Sequence, residues 1–450
     1  MALPKQVDVL VVGSGNAGFA AALSAVQNGA ESVLLIDKCP ENWVGGNSFF
    51  TAGAYRIAHG GLQDILPIVN NVSPEQADKI DLAPYTEKDF QNDMDRVCMG
   101  RSDPELSKSL IQNSNATIKW LAANGIRFQL SFNRQAYEVD GRIKFWGGMC
   151  IKTEDGGKGL IQDYLAAIKK HNVQVSWSTG LTGLKKHSFN DGYEVEVSLN
   201  GVKRTLTAGA VILAAGGFES NPQMRSQFLG PGWDLAMVRG TPYNTGDVLG
   251  LAIQQLGAQA VGNWSGCHSV AWDANAEPNT GDREASNEYT KSGYPLGLML
   301  NVDGARFVDE GVDLRNYTYA KFGRAILQQP EHLAFQVWDS RTSGWLRSEE
   351  YREERVERIT ANTLEELADK CAERGLRNKS AFIDTVREYN EAVYAHRLPN
   401  IYVAGEMVGG LFYSNYPGGS GLTSGAVFGA KAGKEAAKSV AGGRSISSRL

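Results

Sequence analysis

The amino-terminal part of the chain alternates apolar runs with small and polar residues in an order typical of a βαβ unit. Residues 7–12 are largely apolar and predict a buried strand, which leads directly into a glycine-rich turn at residues 13–18. Residues 17–28 predict a helix that ends at Gly29, and the apolar run 32–36 predicts a second buried strand. The pattern therefore predicts two parallel strands joined by a helix.

Polar and apolar spacing predicts helices in later regions as well. Asp103 and Pro104 open one helix. Its predicted inward positions are Leu106, Leu110, Ile118 and Leu121. Residues 349–358 mix acidic and basic side chains and predict a helix with a solvated, charged face. Thr363 and Glu366 form a predicted capping box at the start of a further amphipathic helix.

The composition is that of a soluble globular protein, because 42% of the 450 residues are apolar and 21% are charged. This length allows two or three domains with a substantial core. The formal net charge of −5 argues against a nucleic-acid partner. The 51 glycines exceed ordinary usage. We therefore expect many close backbone approaches.

The five cysteines stand far apart, without a CxxC pair or clustered histidines, so neither a disulfide scaffold nor a metal site is expected. No apolar signal region precedes the first strand, and no apolar run is long enough to span a bilayer, so no membrane partner is expected. Ser448, Arg449 and Leu450 are similar to the peroxisomal tripeptide Ser-Lys-Leu. The expected location is peroxisomal if these residues act as a signal, and cytoplasmic otherwise.

The glycine-rich turn has the spacing of a dinucleotide-binding fingerprint. Gly13 supplies the tight turn, Gly15 permits the close approach of a pyrophosphate, and Gly18 lets the helix pack against the strand. Asp37 follows the second strand at the position where an acidic side chain binds a ribose hydroxyl. An acid here argues against a 2′-phosphate, so the expected ligand is FAD or NAD.

Three more segments place small residues at strand ends. Residues 45–48 follow the second strand, residues 211–217 are an apolar run that ends in Ala-Ala-Gly-Gly, and residues 401–406 predict a strand that ends in Gly-Glu. An NAD domain needs only the first βαβ unit. One extended FAD accounts for contacts from the amino-terminal, central and carboxy-terminal parts of the chain. FAD is therefore the expected cofactor.

These motifs resemble the flavoprotein subunit family of fumarate reductase and succinate dehydrogenase over most of the chain. Residues 404–429 are most similar to the tricarballylate dehydrogenase branch of that family. The resemblance implies an α/β fold with a Rossmann-like FAD-binding domain built from the discontinuous segments 1–263 and 398–450. An α+β capping domain is expected at residues 264–397, inserted between them.

The resemblance assigns residues to parts of FAD. The pyrophosphate and the flavin edge are assigned to Gly46, Asn47, Ser48, Ala52 and Gly53, the adenosine and ribityl parts to Thr245, Gly246, Asp247, Gly405 and Glu406, and the isoalloxazine ring to Ser420, Gly421 and Leu422. The fingerprint and the other strand ends add Gly13, Gly15, Asn16, Ala17, Gly18, Asp37, Lys38, Leu181, Ala215, Gly216 and Gly217. Family members with covalent FAD have a histidine just after the Gly-Gly-Asn-Ser step. This chain has Phe49 and Phe50 there, so noncovalent FAD is expected.

The resemblance implies an FAD-dependent oxidoreductase acting on CH–CH bonds. It would form or reduce a C=C bond α,β to a carboxylate or ketone, with hydride passing between the substrate and flavin N5. Arg315 stands at the position of the family's proton-transfer arginine, while an electrostatic clamp or a structural salt bridge stays open as its role. His268 stands where the family keeps a histidine for the substrate carboxylate, or has a structural role.

Tyr416 departs from the family pattern. Fumarate reductases have an arginine there that grips the substrate carboxylate, whereas 3-ketosteroid Δ1-dehydrogenases carry a similar Tyr-Pro-Gly whose tyrosine polarises a ketone. The connection at residues 391–397 is also shorter than in family members, which place a substrate histidine in this region. Two readings stay open: the site lacks one wall, or the sequence lacks residues there.

The alternatives are therefore a 3-ketosteroid Δ1-dehydrogenase-like enzyme acting on a hydrophobic ketone, and a flavin-binding protein with an incomplete active site and a non-catalytic role. The expected partner is a small-molecule carboxylate or ketone. No CxxCH haem motif is present, so an external electron acceptor of unknown identity is expected.

Overall fold

The structure is a computed structural model that describes residues 3–186, 192–313 and 315–395, with three isolated helical positions at 426, 430 and 434. Within these residues the strands are β1 (Gln6–Val12), β2 (Val33–Ile36), β3 (Ala54–Tyr55), β4 (Ile80–Leu82), β5 (Phe128–Leu130), β6 (Ala136–Val139), β7 (Arg142–Phe145), β8 (Ile151–Thr153), β9 (Gln174–Ser176), β10 (Thr179–Lys186), β11 (Tyr193–Leu199), β12 (Val202–Leu213), β13 (Leu298–Asn301) and β14 (Ala334–Val337). The helices are α1 (Asn16–Gln27), α2 (Leu62–Ile65), α3 (Pro74–Ala77), α4 (Glu87–Cys98), α5 (Pro104–Ala123), α6 (Phe132–Gln135), α7 (Gly156–Lys170), α8 (Pro222–Leu229), α9 (Asp247–Leu256), α10 (Arg315–Leu327), α11 (Ser348–Tyr351), α12 (Leu364–Ala372) and α13 (Lys379–Ala395).

The sheet that carries the amino-terminal βαβ unit has the strand order β10-β11-β12-β1-β2-β9. β1 pairs in parallel with β12 and with β2, and β2 pairs in parallel with β9, while β10, β11 and β12 are antiparallel. Val12 pairs with both Leu213 and Ile36, so three parallel strands end at the same edge. The strands predicted around these residues are confirmed, and the segments that follow them meet at this edge.

Neighbouring residues of β1 and β2 face opposite sides of the sheet and enter two different buried clusters. The cluster on one face includes Val11, Phe19, Leu35 and Tyr164. The cluster on the other face includes Leu10, Leu34, Val195 and Leu251. Because both faces are covered, these strands are continuously apolar in sequence, and the expected α/β class is confirmed.

Helix α5 begins at its predicted cap, and Ile118 and Leu121 of its predicted inward face are buried. The side chain of Asp103 accepts a hydrogen bond from the Leu106 N–H over 2.9 Å. The prediction that Leu106 and Leu110 face inward is wrong, because they are 72% and 53% exposed. The buried positions are Ser107, Ile111, Ser114, Ile118 and Leu121. They recur every three or four residues, which is helical spacing. Because Ser107 and Ser114 are polar, the hydrophobic pattern of the sequence did not identify these two positions as buried.

Residues 349–358 do not form the predicted helix with a solvated face. Helix α11 covers only Ser348–Tyr351, and Glu350 within it is buried. The physical reason is a polar contact from elsewhere in the chain, since both the N–H and the hydroxyl of Ser292 donate to the Glu350 carboxylate. The Thr363 half of the predicted capping box is confirmed, because its Oγ1 accepts a hydrogen bond from the N–H of Glu366 over 3.1 Å. The other half is different, because the Glu366 carboxylate accepts from the N–H of Asn362 over 3.1 Å.

The chain divides into two compact units. One consists of Met1–Asn301 and Phe307–Arg358 and contains the sheets, and the other consists of Val302–Arg306 and Ile359–Leu450. The predicted boundaries of the FAD-binding and capping domains stay predictions. In the part of the chain that the structure describes, no helix is long and apolar enough to cross a membrane. The carboxy-terminal tripeptide of residues 448–450 lies outside that part.

Candidate cofactor and active sites

A cleft with a cavity volume of about 270 Å³ lies along the edge where β1, β2 and β12 end. Gly13 forms the turn after β1 with a φ of +108°, and its N–H donates to the carbonyl oxygen of Ile36 over 2.8 Å. A Cβ atom on Gly13 would lie 2.4 Å from the carbonyl oxygen of Ala214. Both the backbone angle and the close approach therefore require glycine at this position.

Helix α1 begins at the cleft without a side-chain cap, because Gly15 is its N-cap residue. The Asn16 N–H donates to the Ser48 Oγ over 3.0 Å. The Asn16 Oδ1 accepts hydrogen bonds from the hydroxyls of Tyr55 and Tyr164, over 3.0 and 2.9 Å, which fix its side chain. A helix N-terminus that ends in glycine and opens into a cleft is suited to a phosphate group.

The other two fingerprint glycines differ in what surrounds them. A Cβ atom on Gly18 would lie 1.8 Å from the carbonyl oxygen of Gly13. A Cβ atom on Gly15 would have the Ser48 Oγ as its nearest neighbour, at 3.6 Å. Gly18 is therefore required by the packing of α1 against the turn, whereas Gly15 keeps the cleft open for a ligand.

Asp37, at the end of β2, is held by the turn that it faces. Its Oδ2 accepts hydrogen bonds from the N–H and the hydroxyl of Ser14, both over 2.7 Å, and its Oδ1 accepts one from the Cys39 N–H over 2.9 Å. A carboxylate can accept about four hydrogen bonds, so capacity for a ribose hydroxyl remains. Asp37 lines the cleft, as that predicted role requires.

The neighbouring Lys38 links the end of β2 to the start of α9. Its Nζ donates to the Thr245 Oγ1 over 2.5 Å and pairs with the Asp247 carboxylate over 2.7 Å. Burial raises the pKa of Asp247, but the hydrogen bonds from Lys38 and Thr245 outweigh burial, so this pKa lies below its ordinary value. The carboxylate is therefore charged at neutral pH and binds Lys38 across the cleft wall.

Side-chain amides connect the remaining walls of the cleft. The Asn47 Oδ1 accepts a hydrogen bond from the Thr241 N–H over 3.0 Å. The Asn244 Nδ2 donates to the Glu219 Oε2 over 3.2 Å. A Cβ atom on Gly216, which has a φ of +76°, would lie 2.8 Å from the Asn244 amide. These contacts bring the segment after β12 against the residues around α9.

The structure brings most of the predicted cofactor residues to this cleft. Those that line it are Gly13, Gly15, Asn16, Ala17, Asp37, Lys38, Gly46, Asn47, Ser48, Leu181, Ala215, Gly216, Gly217, Gly246 and Asp247. Those that do not line it are Gly18, Ala52, Gly53 and Thr245. Those outside the described residues are Gly405, Glu406, Ser420, Gly421 and Leu422, together with Tyr416. Direct contact of each with the cofactor stays a prediction.

The sequence analysis missed the aromatic part of the lining. The rings of Trp43 and Tyr243 both line the cleft and meet edge to face, with their centroids 6.1 Å apart. Other lining residues that were not predicted are Val12, Ser14, Cys39, Thr179, Gly180, Ala214, Thr241, Asn244, Val248 and Leu249. Tyr243 and Asn244 directly precede the Thr-Gly-Asp segment, so extending that motif by two residues would have found them. Trp43 carries no comparable signal.

Arg315 is the first residue of α10 and lies in a second, smaller cleft of about 210 Å³. Its Nη1 donates to the Ser292 Oγ over 2.9 Å. The Ser292 hydroxyl donates in turn to the Glu350 carboxylate, which also accepts the Ser292 N–H over 3.0 Å. The guanidinium, hydroxyl and carboxylate thus form a continuous hydrogen-bonded chain.

Glu350, at the buried end of this series of hydrogen bonds, is surrounded by charged groups. Glu350 is 2% exposed, and the Arg347 Nη1 lies 3.4 Å from its Oε1. The Lys291 Nζ donates to the Glu350 carbonyl oxygen over 2.8 Å and lies 3.7 Å from the Asp273 carboxylate. Burial lowers the pKa of Lys291 to about 8, although both carboxylates act in the opposite direction.

His268 lies near α10 and is not a lining residue of either cleft. Its ring meets the ring of Tyr319 edge to face, with the centroids 4.7 Å apart, and Tyr319 is one helical turn beyond Arg315. Partial desolvation of the imidazole, together with the positive charge of Arg239, lowers the pKa of His268 below its ordinary value of 6.5. At neutral pH this histidine is therefore a neutral hydrogen-bonding group.

These features agree with what is found in known proteins. A family profile described as "FAD binding domain" matches residues 8–338. The chain belongs to this FAD binding domain family. The matched range covers the cleft, its lining strands and Arg315.

Two relatives cover large parts of the chain. The vinyl phenol reductase of Lactiplantibacillus plantarum is 28% identical over 336 residues, which are 74% of this chain and 61% of that protein. The NADH:fumarate oxidoreductase of Klebsiella pneumoniae is 26% identical over 503 residues, covering 98% of this chain and 48% of that protein. The chain thus spans about half to three fifths of their length. The longer alignment exceeds the 450 residues of the chain, so that relative has residues without a counterpart here.

Solved structures show the same fold. The open conformation of a flavocytochrome c3 fumarate reductase has a TM-score of 0.62 and 22% identity, covering 87% of this chain and 62% of that one. The 3-ketosteroid Δ1-dehydrogenase of Sterolibacterium denitrificans has a TM-score of 0.63 and 19% identity, covering 87% of this chain and 80% of that one. The predicted resemblance to the fumarate reductase flavoproteins is confirmed by the FAD binding domain and by a relative of that name, while the assignment to the tricarballylate branch stays a prediction.

The cleft residues fit FAD. Gly15 and the first turn of α1 offer backbone N–H groups to a pyrophosphate, and Asp37 has capacity for a ribose hydroxyl. The residues that follow β1 and β12, including Gly13, Gly15, Gly216 and Gly217, place mostly small side chains or none against the cleft. The chemistry of this set, amides for phosphate and carboxylate for ribose, is that of a dinucleotide site.

Proposed function

We propose that this chain is an FAD-dependent oxidoreductase that reduces or forms a C=C bond conjugated to a carboxylate or ketone. Support comes from relatives named for fumarate and urocanate, in which the C=C bond is conjugated to a carboxylate. A relative named for vinyl phenol supports C=C chemistry alone, because that bond is conjugated to a phenol ring. Bound FAD supplies the two-electron chemistry as a hydride acceptor or donor. The protein must then place the substrate, exclude water and handle one proton per turnover.

The observation that carries this proposal is the hydrogen-bonded chain from Arg315 through Ser292 to Glu350. A guanidinium exchanges a proton in a protein only when a partner receives or replaces that proton. The Ser292 hydroxyl accepts from Arg315 and donates to the carboxylate, so a proton can move between the guanidinium and a buried acid. When the C=C bond forms, the proton taken from the substrate carbon would pass through Arg315 and Ser292 to the Glu350 carboxylate. When the C=C bond is reduced, Arg315 would give a proton to the substrate carbon and regain one through Ser292 from the protonated Glu350 carboxyl group.

The carbonyl end of the substrate needs groups that bind oxygen. Arg347 lines the same cleft as Arg315, so two positively charged groups border the proposed position of an anionic or polarised oxygen. The resemblance assigns His268 and Tyr416 to the same end of the substrate, although His268 does not line this cleft and Tyr416 lies outside the described residues. The two guanidinium groups favour a carboxylate, and the tyrosine favours a ketone.

We further propose that FAD is bound noncovalently. Among the described residues that line the cofactor cleft there is no histidine. Burial raises the pKa of the Cys39 thiol far above its ordinary value, which keeps it an unreactive thiol. Denaturation in trichloroacetic acid should therefore release all of the flavin into the supernatant, whereas flavin in the protein pellet would contradict noncovalent binding.

The test of the proposed reaction uses purified holoenzyme. FAD reduced anaerobically is mixed with enoates and with enones, and oxidised FAD is mixed with the saturated compounds, while flavin absorbance is recorded. We expect reoxidation by at least one enoate. Reaction with hydrophobic ketones alone would favour a ketosteroid-type enzyme, and no reaction with any compound would favour a non-catalytic flavoprotein.

The role of Arg315 is tested in the same assay with two variants. Arg315→Gln should lower turnover by about 10²-fold or more while FAD stays bound, since acid–base groups contribute factors of this size. The exposed Arg204, which donates to the carbonyl oxygen of Lys203, provides Arg204→Gln as a matched control. Equal turnover in both variants would refute the assignment of Arg315.

A further inference from the structure

The first turn of α10 is held from two opposite sides. Arg315 and Tyr317 are two positions apart, which places them about 200° apart around the helix. Arg315 donates to Ser292 on one side, and Tyr317 contacts α4 on the other side. The placement of Arg315 therefore depends on contacts that its own side chain does not make.

The contacts with α4 involve two side chains of that helix. Arg96 pairs with Asp313 over 2.6 Å, just before α10 begins. The Arg96 guanidinium also lies over the Tyr317 ring, 4.0 Å from its centroid. The Tyr317 hydroxyl donates to the Asp93 Oδ1 over 3.3 Å. We call these four residues the α4 clamp: Asp93, Arg96, Asp313 and Tyr317.

The α4 side of the clamp is itself fixed. The Asp93 Oδ2 pairs with the Arg56 Nη1 over 2.5 Å and accepts the Tyr85 hydroxyl over 2.6 Å. The Arg56 guanidinium also donates to the Tyr85 hydroxyl over 2.8 Å. Asp93 thus cannot turn away without breaking contacts to two other segments of the chain, and it offers Tyr317 a rigid acceptor.

We propose that Asp93 and Arg96 are positioning residues for Arg315. They hold the first turn of α10 in the register at which the guanidinium meets Ser292, without touching the substrate or the cofactor. This inference rests on the proposed function of Arg315. The Arg96–Asp313 pair is partly exposed, with side-chain exposures of 51% and 35%, so salt screens it. Turnover should accordingly fall with ionic strength in the wild-type protein.

The test compares Arg96→Gln with Arg142→Gln in the holoenzyme, using the best substrate of the flavin assay. Arg142 forms an equally exposed ion pair with Asp81 on another part of the surface, so it is a matched control. We expect Arg96→Gln to lower kcat about three- to tenfold, with KM changed less than twofold and FAD content unchanged. Added salt should lower kcat in the wild type and in Arg142→Gln, but not in Arg96→Gln.

A charge exchange separates positioning from simple loss of packing. The double variant Arg96→Asp with Asp313→Arg should recover at least half of the kcat that each single charge reversal loses. Amide hydrogen exchange in residues 315–318 should rise in Arg96→Gln and stay unchanged in Arg142→Gln. Equal kcat in Arg96→Gln and Arg142→Gln would overturn the inference, whatever the hydrogen exchange shows.

The same experiment includes Arg315→Gln, so that the two proposals can fail separately. If Arg315→Gln abolishes turnover and Arg96→Gln does not change it, the clamp does not position Arg315 and the proposed function stands. If Arg315→Gln leaves turnover unchanged, the proposed catalytic role of Arg315 fails, although the reaction itself stands. In that case the α4 clamp has no role in catalysis. Increased hydrogen exchange in Arg96→Gln would then show only that the clamp stabilises the first turn of α10.

Discussion

Two alanine substitutions in the fingerprint should have opposite consequences, although both remove a glycine from the same turn. A Cβ atom at position 18 would lie 1.8 Å from the carbonyl oxygen of Gly13, while at position 15 the nearest atom is 3.6 Å away. The backbone of Gly15 has a φ of −79°, which any residue adopts. Gly18→Ala should therefore disturb folding, and Gly15→Ala should disturb only the ligand.

The magnitudes follow from these distances. Ordinary Cβ contacts begin near 3.4 Å, so Gly18→Ala requires a displacement of about 1.6 Å between α1 and the turn. Overpacking of this kind costs about 1–3 kcal/mol, which exceeds the gain of about 1 kcal/mol that alanine brings to a helix. In Gly15→Ala the new methyl group would displace the pyrophosphate, and loss of one charged hydrogen bond weakens binding by about 10- to 100-fold.

The assay separates the two effects by using apoprotein and holoenzyme. Urea unfolding of the apoproteins should show a net loss of up to about 2 kcal/mol for Gly18→Ala and almost none for Gly15→Ala. Titration with FAD, followed by flavin fluorescence, should show the weakened affinity of Gly15→Ala. Gly250→Ala is the control, because a Cβ atom in that position of α9 meets nothing within 4 Å. It should stabilise the apoprotein by up to about 1 kcal/mol and leave FAD affinity unchanged.

Two outcomes would refute this reasoning. One is a Gly15→Ala apoprotein that is destabilised as strongly as Gly18→Ala, which would mean that both glycines serve packing. The other is wild-type FAD affinity in a folded Gly15→Ala protein, which would mean that the ligand does not approach the start of α1. The second outcome would also remove the assignment of this cleft to the pyrophosphate.

Three further predictions concern buried polar groups. Glu350→Gln should lower turnover about tenfold or more, because it removes the carboxylate that accepts the Ser292 hydrogen bonds. Glu349→Gln changes the exposed residue next to it and should leave turnover at the wild-type level. The pKa of Lys291 falls from 10.5 to about 8 on folding, so the unfolded chain binds more protons between these pH values. The free energy of unfolding should therefore rise with pH across that window, by up to roughly 3 kcal/mol, and this rise should be absent from urea titrations of Lys291→Met. Arg225→Met should destabilise the apoprotein in urea titrations by about 3–5 kcal/mol, since its buried guanidinium donates to three backbone carbonyl groups, and a loss under 1 kcal/mol would contradict this.

The fold and the cofactor cleft were predictable because their determinants are local. Apolar runs mark β1, β2 and β12, and each is followed within a few residues by glycine or an acid that lines the cleft. Parallel pairing then brings these separate strand ends to one edge without further information. The sequence predicted α1 at 17–28, and the structure has Asn16–Gln27, a difference of one residue at each end.

The inward face of α5 shows where pattern reading fails. Leu106 and Leu110 are apolar and four residues apart, which is helical spacing, yet both are exposed. The buried stripe includes Ser114, whose hydroxyl accepts the Ala58 N–H over 3.0 Å and donates to the Ile111 carbonyl oxygen over 2.8 Å. A serine becomes a core residue when the surrounding backbone satisfies its hydroxyl. That condition depends on a segment far away in the sequence.

Glu350 makes the same point for the active-site region. Charged residues such as Glu349, Arg352 and Glu353 surround it in the sequence, so composition indicates an exposed carboxylate. Its burial depends on Ser292, 58 residues earlier, which donates two hydrogen bonds to it and accepts one from Arg315. A buried carboxylate is stable only with such partners, and no spacing rule relates these positions. Glycines that shape a turn can therefore be identified from the sequence, whereas the acid behind a proposed catalytic arginine becomes visible only once the fold has brought its donors together.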